Sequence, residues 1–295
     1  MKVIKITPRG YCYGVVDAIQ IAKQVARDKK LPRPLYILGM IVHNHHVVEE
    51  LEALGVRTLD GGSRLDLLDH IEGGTVIFTA HGVSPQVKAA ARARGLNCID
   101  ATCPDVTRTH DLVADLVGRG YQVIYIGKHK HPEPEGVVGI APESVHLVET
   151  EADLDALRLD AVGPMAVTCQ TTLSQWDTAS LIRQIEERYP GIEVYNEICF
   201  ATQSRQEAAA EQARGCDVVI VVGDRRSNNS NRLVQVVREI AERPAYLVDN
   251  VSEIEPAWLA GAQVVGVTSG SSTPTTLTRA VIEFLERYAP AQASL

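Results

Sequence analysis

The sequence has no apolar run long enough to cross a membrane. A spanning helix needs about 20 consecutive apolar residues, and no stretch of the 295 residues approaches that length. The apolar start of the chain is interrupted by Pro8-Arg9-Gly10, too soon for a signal peptide. We therefore expect a cytoplasmic protein with no membrane partner, in which cysteines more often bind metal or do chemistry than form disulfides.

The chain also lacks an excess of positive charge. Its 29 Lys and Arg face 37 Asp and Glu, which gives a formal net charge of −8. Because nucleic acids are bound through clustered Lys and Arg, we expect no nucleic-acid partner. A GxxxxGK[ST] loop is absent as well, which disfavours a P-loop nucleotide site. An anionic substrate would need a local pocket that supplies donors.

No linker or low-complexity tract divides the chain, but a repeated pattern divides it into three segments. Cys12, Cys103 and Cys199 are 91 and 96 positions apart, and each opens a segment with two strand-like runs. Buried β-branched runs alternate with helical-period segments such as 206–214 and 233–242, which is typical of parallel α/β layers. We predict three similar α/β lobes, at residues 1–100, 101–195 and 196–295, with the C-terminal tail packed on the first lobe.

Polar side chains follow the strands of each repeat. In parallel α/β folds ligands bind beyond the carboxyl ends of the strands, where helix N-termini present free N–H groups. Histidines occupy these positions in the first two lobes, and hydroxyls and amides replace them in the third. The sequence therefore predicts an anion pocket built from His43, His81 and His131 and from the third-lobe runs Ser227-Asn228-Asn229-Ser230 and Ser271-Ser272.

Glu133 is the only carboxylate within these repeated polar clusters. A glutamate in an enclosed site can hold or deliver a proton near neutral pH. Its neighbours Pro132 and Pro134 stiffen the loop, and Thr171 could add a hydroxyl to the same proton network. Glu135 is the competing candidate for the acid.

The three repeated cysteines suggest a metal group. Each is predicted to lie in a turn or beside a helix N-terminus, where the thiolate is favoured. Three thiolates could hold a four-iron cluster whose fourth iron stays open to substrate, or a zinc ion, and simple packing is the third alternative. The remaining cysteines, Cys98, Cys169 and Cys216, are interpreted as packing residues. The remaining histidines are interpreted as surface or supporting residues; they are His45, His46, His70, His110, His129 and His146.

Eight segments of the chain, in order, resemble the 4-hydroxy-3-methylbut-2-enyl diphosphate reductase family of the methylerythritol phosphate route to isoprenoids. The resemblance covers essentially the whole chain. The segments are Pro8-Arg9-Gly10-Tyr11-Cys12, Val42-His43-Asn44, Thr79-Ala80-His81-Gly82-Val83, Asp100-Ala101-Thr102-Cys103-Pro104, His131-Pro132-Glu133, Gln170-Thr171-Thr172-Leu173-Ser174, Ile198-Cys199-Phe200-Ala201-Thr202 and Ser230-Asn231-Arg232-Leu233.

The resemblance implies a pseudo-threefold trefoil of α/β lobes around a 4Fe–4S cluster. Cys12, Cys103 and Cys199 would hold the cluster, and its fourth iron, which is the easiest to lose to give 3Fe–4S, would take the substrate's hydroxyl. The resemblance also implies that the diphosphate of an allylic substrate would be bound by His43, His81, His131, Ser227, Asn229 and Ser272, with Asn228 beside them. A ferredoxin or flavodoxin would donate the electrons. Glu133, aided by Thr171 and beside His131, would supply the proton.

The chain departs from the family's pattern at two positions, and two other functions are alternatives to the reductase. Asn228 stands where many members of the family carry serine, and Pro134 adds a second proline beside the acid. A non-redox hydro-lyase with an open cluster would need no electron donor. A metal-binding regulatory protein would show no turnover at all.

Overall fold

The computed structural model describes residues 1–159 and 163–288, and in these ranges strands and helices alternate along the chain. The end of the C-terminal tail, which the sequence predicts to pack on the first lobe, lies outside the described residues. The strands are β1 Lys2–Lys5, β2 Leu35–Leu38, β3 Val56–Leu59, β4 Thr75–Phe78, β5 Asn97–Asp100, β6 Gln122–Ile126, β7 Val145–Val148, β8 Met165–Cys169, β9 Glu193–Val194, β10 Val218–Val222, β11 Ala245–Val248 and β12 Val264–Ser269.

The helices follow the strands in a regular order. They are α1 Tyr13–Arg27, α2 His45–Ala53, α3 Arg64–Leu68, α4 Pro85–Ala93, α5 Pro104–Gly118, α6 Pro132–Val138, α7 Glu151–Ala156, α8 Gln175–Arg188, α9 Phe200–Gln212, α10 Asn228–Glu239 and α11 Thr275–Arg287. None of the helices in the described ranges is both long enough and apolar enough to span a membrane.

The chain divides into two compact units. The first unit contains Met1–Tyr13, His43–His46 and the chain from Phe200 onward, and the second contains Gly14–Val42 and Val47–Cys199. The second unit holds two four-stranded sheets, ordered β3-β2-β4-β5 and β7-β6-β8-β9, and the first unit holds the sheet β1-β12-β10-β11. All the strand pairs in these sheets are parallel.

The three sheets share one strand order, which confirms the predicted α/β fold of three similar lobes. In each sheet the first repeat strand lies between the second and the third, and a fourth strand pairs with the third. In the third sheet this fourth position is filled by β1, so Lys2–Lys5 pairs with the strand at Val264 to Val267. The N-terminal strand therefore completes the sheet of the last repeat.

The two central strands of each sheet are buried on both faces because helices cover them. β2, β4 and β10 are buried along their whole length, and β6, β8 and β12 along all but their first residue. The strand order reverses between these central strands, which is where open parallel sheets bind ligands. The polar segments after β2, β4, β6, β8, β10 and β12 all start from this edge of their own sheet.

Candidate active site

Each of the three repeated cysteines immediately precedes a helix. Cys12 is followed by α1, Cys103 by α5 and Cys199 by α9, and none of the three forms a disulfide within the described ranges. The first N–H groups of a helix lack partners within the helix and attract negative charge. Cys12 belongs to the first unit, and Cys103 and Cys199 belong to the second.

The other three cysteines lie in or beside strands. Burial raises the pKa of the Cys169 thiol to about 12, and it also raises the pKa values of Cys98 and Cys216. Cys216 packs against β12, where a Cβ at Gly266 would come within 2.9 Å of its Sγ. Thiols of this kind stay protonated at neutral pH and serve as small apolar side chains.

The Cys103 thiol lies against a glycine of α1. A Cβ added at Gly14 would overlap Sγ of Cys103 and come within 3.1 Å of its Cβ. Cys103 occupies the N-cap position of α5, yet its side chain makes no capping hydrogen bond. The missing side chain at Gly14 therefore leaves room for this thiol beside the start of two helices.

Glu133 lies in the first turn of α6 and is 1% exposed. Its Oε1 accepts a hydrogen bond from the backbone N–H of Thr171 at 2.7 Å, and its Oε2 accepts one from the Thr171 hydroxyl at 3.1 Å. Tyr125 adds a longer contact of 3.5 Å to Oε1. Burial raises the pKa of Glu133 to about 7, although the two bonds from Thr171 favour the ionised form and oppose the rise.

Glu135, the competing acid, has a different environment. It is exposed, and its Oε1 accepts a hydrogen bond from the backbone N–H of Arg64 at 2.8 Å. The structure thus separates the two carboxylates, because Glu133 is buried and Glu135 is exposed.

Thr171 also joins the acid to a cysteine. Its carbonyl oxygen accepts a hydrogen bond from the backbone N–H of Cys199 at 3.0 Å. Thr171 itself is 3% exposed and follows the end of β8 by two residues. One residue thus fixes both the carboxylate of Glu133 and the backbone of Cys199.

His131 caps α6, and its hydrogen bonds define its tautomer. Its Nδ1 accepts from the backbone N–H of Glu133 at 3.2 Å and lies 3.2 Å from Nε2 of Gln170. The Gln170 amide is oriented by the backbone N–H of Lys128, which donates to its Oε1 at 3.0 Å. Because both partners are N–H donors, Nδ1 is the acceptor nitrogen of His131 in this arrangement, and its Nε2–H is a donor.

His81 packs edge-on against His131 in the same unit. The ring centroids are 5.4 Å apart and the planes are perpendicular. The next residue, Gly82, has φ of +74°, and a Cβ there would come within 3.1 Å of His110. The backbone after β4 therefore makes a turn that glycine favours, and this turn positions His81 beside His131.

The first unit gathers the predicted hydroxyls and amides. Ser227 caps α10 by accepting from the N–H of Ser230 at 3.2 Å, so Asn228 and Asn229 form the first turn of the helix. Sequence periodicity predicted a start only at residue 233, because these polar residues carry no apolar pattern. The five predicted or neighbouring polar side chains are each at most 8% exposed, and they are Ser227, Asn228, Asn229, Ser271 and Ser272.

These side chains bond to one another and to the chain near His43 and Cys12. The Asn229 amide donates to Oγ of Ser271 at 2.6 Å, and the Ser272 hydroxyl donates to the carbonyl of His43 at 2.9 Å. The carbonyl of Ser271 accepts from the N–H of Cys12 at 3.2 Å. The first unit thus connects one cysteine, one histidine and the start of α10, whose N-terminus favours anions.

Tyr125 and Gln170 were missed by the sequence analysis. Tyr125 lies inside an apolar strand and looks like an ordinary core residue, although its hydroxyl reaches Glu133. Gln170 stands directly after β8 and next to Thr171, so its position in the polar cluster is the signal that could have identified it.

A family model described as "LytB protein" matches residues 3–286 of this chain. The chain belongs to the LytB family. It is 68% identical over 288 residues to the 4-hydroxy-3-methylbut-2-enyl diphosphate reductase of Symbiobacterium thermophilum, with 98% of each chain covered. It is 59% identical over 290 residues to the enzyme of the same name from Shouchella clausii, covering 98% of this chain and 92% of that one.

Solved structures of LytB relatives have the same fold. The E-1-hydroxy-2-methyl-but-2-enyl-4-diphosphate reductase from Plasmodium falciparum superposes with a TM-score of 0.90 at 32% identity, over 97% of this chain and 88% of that chain. A second structure, described as the terminal enzyme of the non-mevalonate pathway, gives a TM-score of 0.68 at 31% identity, over 98% of this chain and all of the other.

Proposed function

We propose that this protein reduces (E)-4-hydroxy-3-methylbut-2-enyl diphosphate to isopentenyl diphosphate and dimethylallyl diphosphate. The net reaction consumes two electrons and two protons, breaks the allylic C–O bond and releases water. Membership of the LytB family and the names of its near-full-length relatives support the reaction. Within the chain, the observation that carries the proposal is the buried Glu133, whose pKa is raised to about 7.

The donor set fits a metal group held by thiolates. Cys12, Cys103 and Cys199 each precede a helix and form no disulfide within the described ranges, and the missing Cβ of Gly14 gives Cys103 its space. We assign these three thiols as the ligands of a 4Fe–4S cluster. When bound, such a cluster supplies electrons and an iron without a protein thiolate, which is a Lewis acid for the hydroxyl of the substrate.

Glu133 is assigned as the proton donor to the departing hydroxyl. The backbone N–H of Thr171 can only donate, so Oε1 of Glu133 always accepts and the acidic proton resides on Oε2. The Thr171 hydroxyl faces Oε2 and can reverse its own hydrogen bond. We place the path of the proton from Glu133 to the substrate through the Thr171 hydroxyl or beside it. The protonated hydroxyl of the substrate then departs as water.

The diphosphate is assigned to neutral donors and helix N–H groups. His131 offers Nε2–H as a hydrogen-bond donor. Ser227 and Asn228 stand at the start of the 12-residue helix α10, where N–H groups and the helix dipole favour an anion. The complete assigned set is His43, His81, His131, Ser227, Asn228, Asn229 and Ser272.

The partner and location remain parts of the proposal. A ferredoxin or flavodoxin is proposed as the electron donor, because the reaction consumes two electrons that a partner must supply. A cytoplasmic location is proposed because none of the six cysteines forms a disulfide in the described part of the chain, and structural disulfides predominate in oxidising compartments.

Anaerobic purification followed by analysis of iron, sulfide and turnover tests the proposal. We expect brown protein that converts the allylic diphosphate only when a reductant is present. Cys103→Ser is expected to lose iron, whereas the matched control Cys98→Ser is expected to retain it. Turnover without reductant would instead identify a hydro-lyase, zinc in colourless protein would refute the cluster, and a cluster-bearing protein inert with every donor would indicate a regulator.

A further inference from the structure

Two histidines that the sequence analysis interpreted as surface or supporting residues converge on one carboxylate in the first unit. Nε2 of His46 lies 2.9 Å from Oδ2 of Asp249, and Nε2 of His45 lies 3.5 Å from the same oxygen. The three ligand atoms are all within 4.8 Å of one another. None of these residues belongs to the site assigned above.

The convergence is unusual for adjacent residues. Neighbouring residues of a helix point about 100° apart and do not normally face one partner. His45 and His46 are the first two residues of α2, and their rings lie 4.0 Å apart at an angle of 35°. The backbone N–H of His46 donates to the side chain of Asn44 at 3.1 Å, which fixes the entry into the helix.

A second carboxylate fixes the orientation of His45. Oδ2 of Asp224 lies 2.9 Å from Nδ1 of His45 and also accepts from the backbone N–H of His45 at 2.9 Å. This double contact orients the ring so that its other nitrogen, Nε2, faces Asp249.

This arrangement leaves a position for a cation. Nε2 of His45 and Nε2 of His46 both face Oδ2 of Asp249, at 3.5 and 2.9 Å, so these three atoms can ligate one ion placed between them. In many metal sites a carboxylate contacts one ring nitrogen of a histidine and so orients the other ring nitrogen towards the metal ion.

We propose that His45, His46 and Asp249 form a binding site for one divalent cation of the zinc type. Imidazole nitrogens and a carboxylate oxygen are preferred zinc ligands, with bonds of about 2.0–2.2 Å. Ligand atoms in a tetrahedral site with such bonds are about 3.3 Å apart, close to the separations of 2.9 and 3.5 Å seen here. The half-exposed ring of His45 leaves the fourth position open to water.

The proposed cation site lies in the same segment as His43, which is assigned to the diphosphate of the substrate. His43 precedes His45 by two residues, and its carbonyl accepts the hydroxyl of Ser272. A cation held by α2 and by the residue after β11 would fix this segment within the first unit. The inference does not depend on the proposed reaction, because it uses none of the residues assigned to it.

Zinc binding to the intact, anaerobically purified, iron-loaded protein tests the proposal. After equilibrium dialysis against Zn²⁺ we expect one zinc per chain with no loss of iron. Zinc X-ray absorption should then show nitrogen and oxygen ligands at about 2.0–2.1 Å and no sulfur shell at about 2.3 Å. A sulfur shell would place the zinc on cysteines and overturn the proposal, as would the absence of bound zinc.

Variants locate the site. Asp249→Asn and His46→Gln should each weaken zinc binding at least about tenfold, and Asp224→Asn should weaken it about 10- to 100-fold through the orientation of His45. His129→Gln is the matched control, because His129 pairs with a single carboxylate, Asp153, at 3.3 Å. Equal zinc affinity in all four variants would overturn the assignment, and the wild-type spectrum decides the question even where a variant fails to fold.

Discussion

Thr171 holds both oxygens of the Glu133 carboxylate, one through its backbone N–H at 2.7 Å and one through its hydroxyl at 3.1 Å. The backbone bond cannot be reversed, whereas the hydroxyl bond can. The pair therefore combines a fixed anchor with an exchangeable contact. In the proposed reaction, this division would let the Glu133 carboxyl group be held rigidly and still release a proton.

The pH dependence of turnover should report the ionisation of Glu133. Because burial raises its pKa to about 7, the acid is protonated below that pH and ionised above it. We expect kcat to fall about tenfold per pH unit above pH 7 with saturating reductant. Since the pKa in the folded state exceeds the ordinary value of 4.5, the stability that Glu133 contributes to the fold also declines as the pH rises from 4.5 to about 7, and it levels off above that.

Glu133→Gln removes the proton while preserving the shape of the side chain. We expect kcat to fall about 10²- to 10⁴-fold, with iron content and substrate binding retained. The residual kcat of this variant should no longer decrease as the pH rises above 7. Near-normal turnover in this variant would show that another group supplies the proton.

Thr171→Val tests the exchangeable contact separately from the backbone anchor. The variant keeps the N–H bond to Oε1 and loses only the hydroxyl, so we expect kcat to fall at least about tenfold. The loss of a hydrogen-bond donor to the carboxylate should also raise the pKa of Glu133, so kcat should begin to fall at a higher pH. Thr171→Ser retains the hydroxyl, so we expect it to keep a near-normal kcat and a near-normal pH dependence of kcat. If Thr171→Val and Thr171→Ser were equally impaired, the Thr171 side chain would instead have a packing role.

The sequence predicted those parts of the fold and site that local patterns encode. A cysteine before a helix, or a polar residue after a buried strand, is visible within about ten residues, so Cys103 and Glu133 could be identified. Tyr125 could not, because inside an apolar strand its hydroxyl gives no signal. The pairing of β1 with β12 joins opposite ends of the chain, and nothing local to Lys2–Lys5 encodes its partner.

The histidines show the same limit. His45 and His46 are adjacent in sequence, but Asp249 lies 203 positions beyond His46. Only the fold brings the carboxylate to the imidazoles. A repeat-based search also overlooks this cluster, because it has no counterpart at the equivalent positions of the other lobes.

Gly14→Ala should impair assembly of the metal group. The added methyl would overlap Sγ of Cys103, although alanine is the better helix former by about 1 kcal/mol. We expect lower iron and sulfide per chain after anaerobic purification. Gly118→Ala is the matched control, since Gly118 also lies in a helix and a Cβ there meets nothing within 4 Å; equal iron in both variants would contradict the proposed role of Cys103.

Gln170→Leu should weaken substrate binding by releasing His131. The Gln170 amide helps keep the proton off Nδ1 of His131, so its loss frees the ring to change tautomer and orientation. We expect KM for the allylic diphosphate to rise about tenfold, with a smaller change in kcat, because the proton donor is untouched. Gln122→Leu breaks a similar Gln–His bond, to His146 at 2.7 Å, at the other end of the same sheet. If both variants raised KM equally, the effect would be one of general stability, and the assignment of His131 to the diphosphate would lose its support.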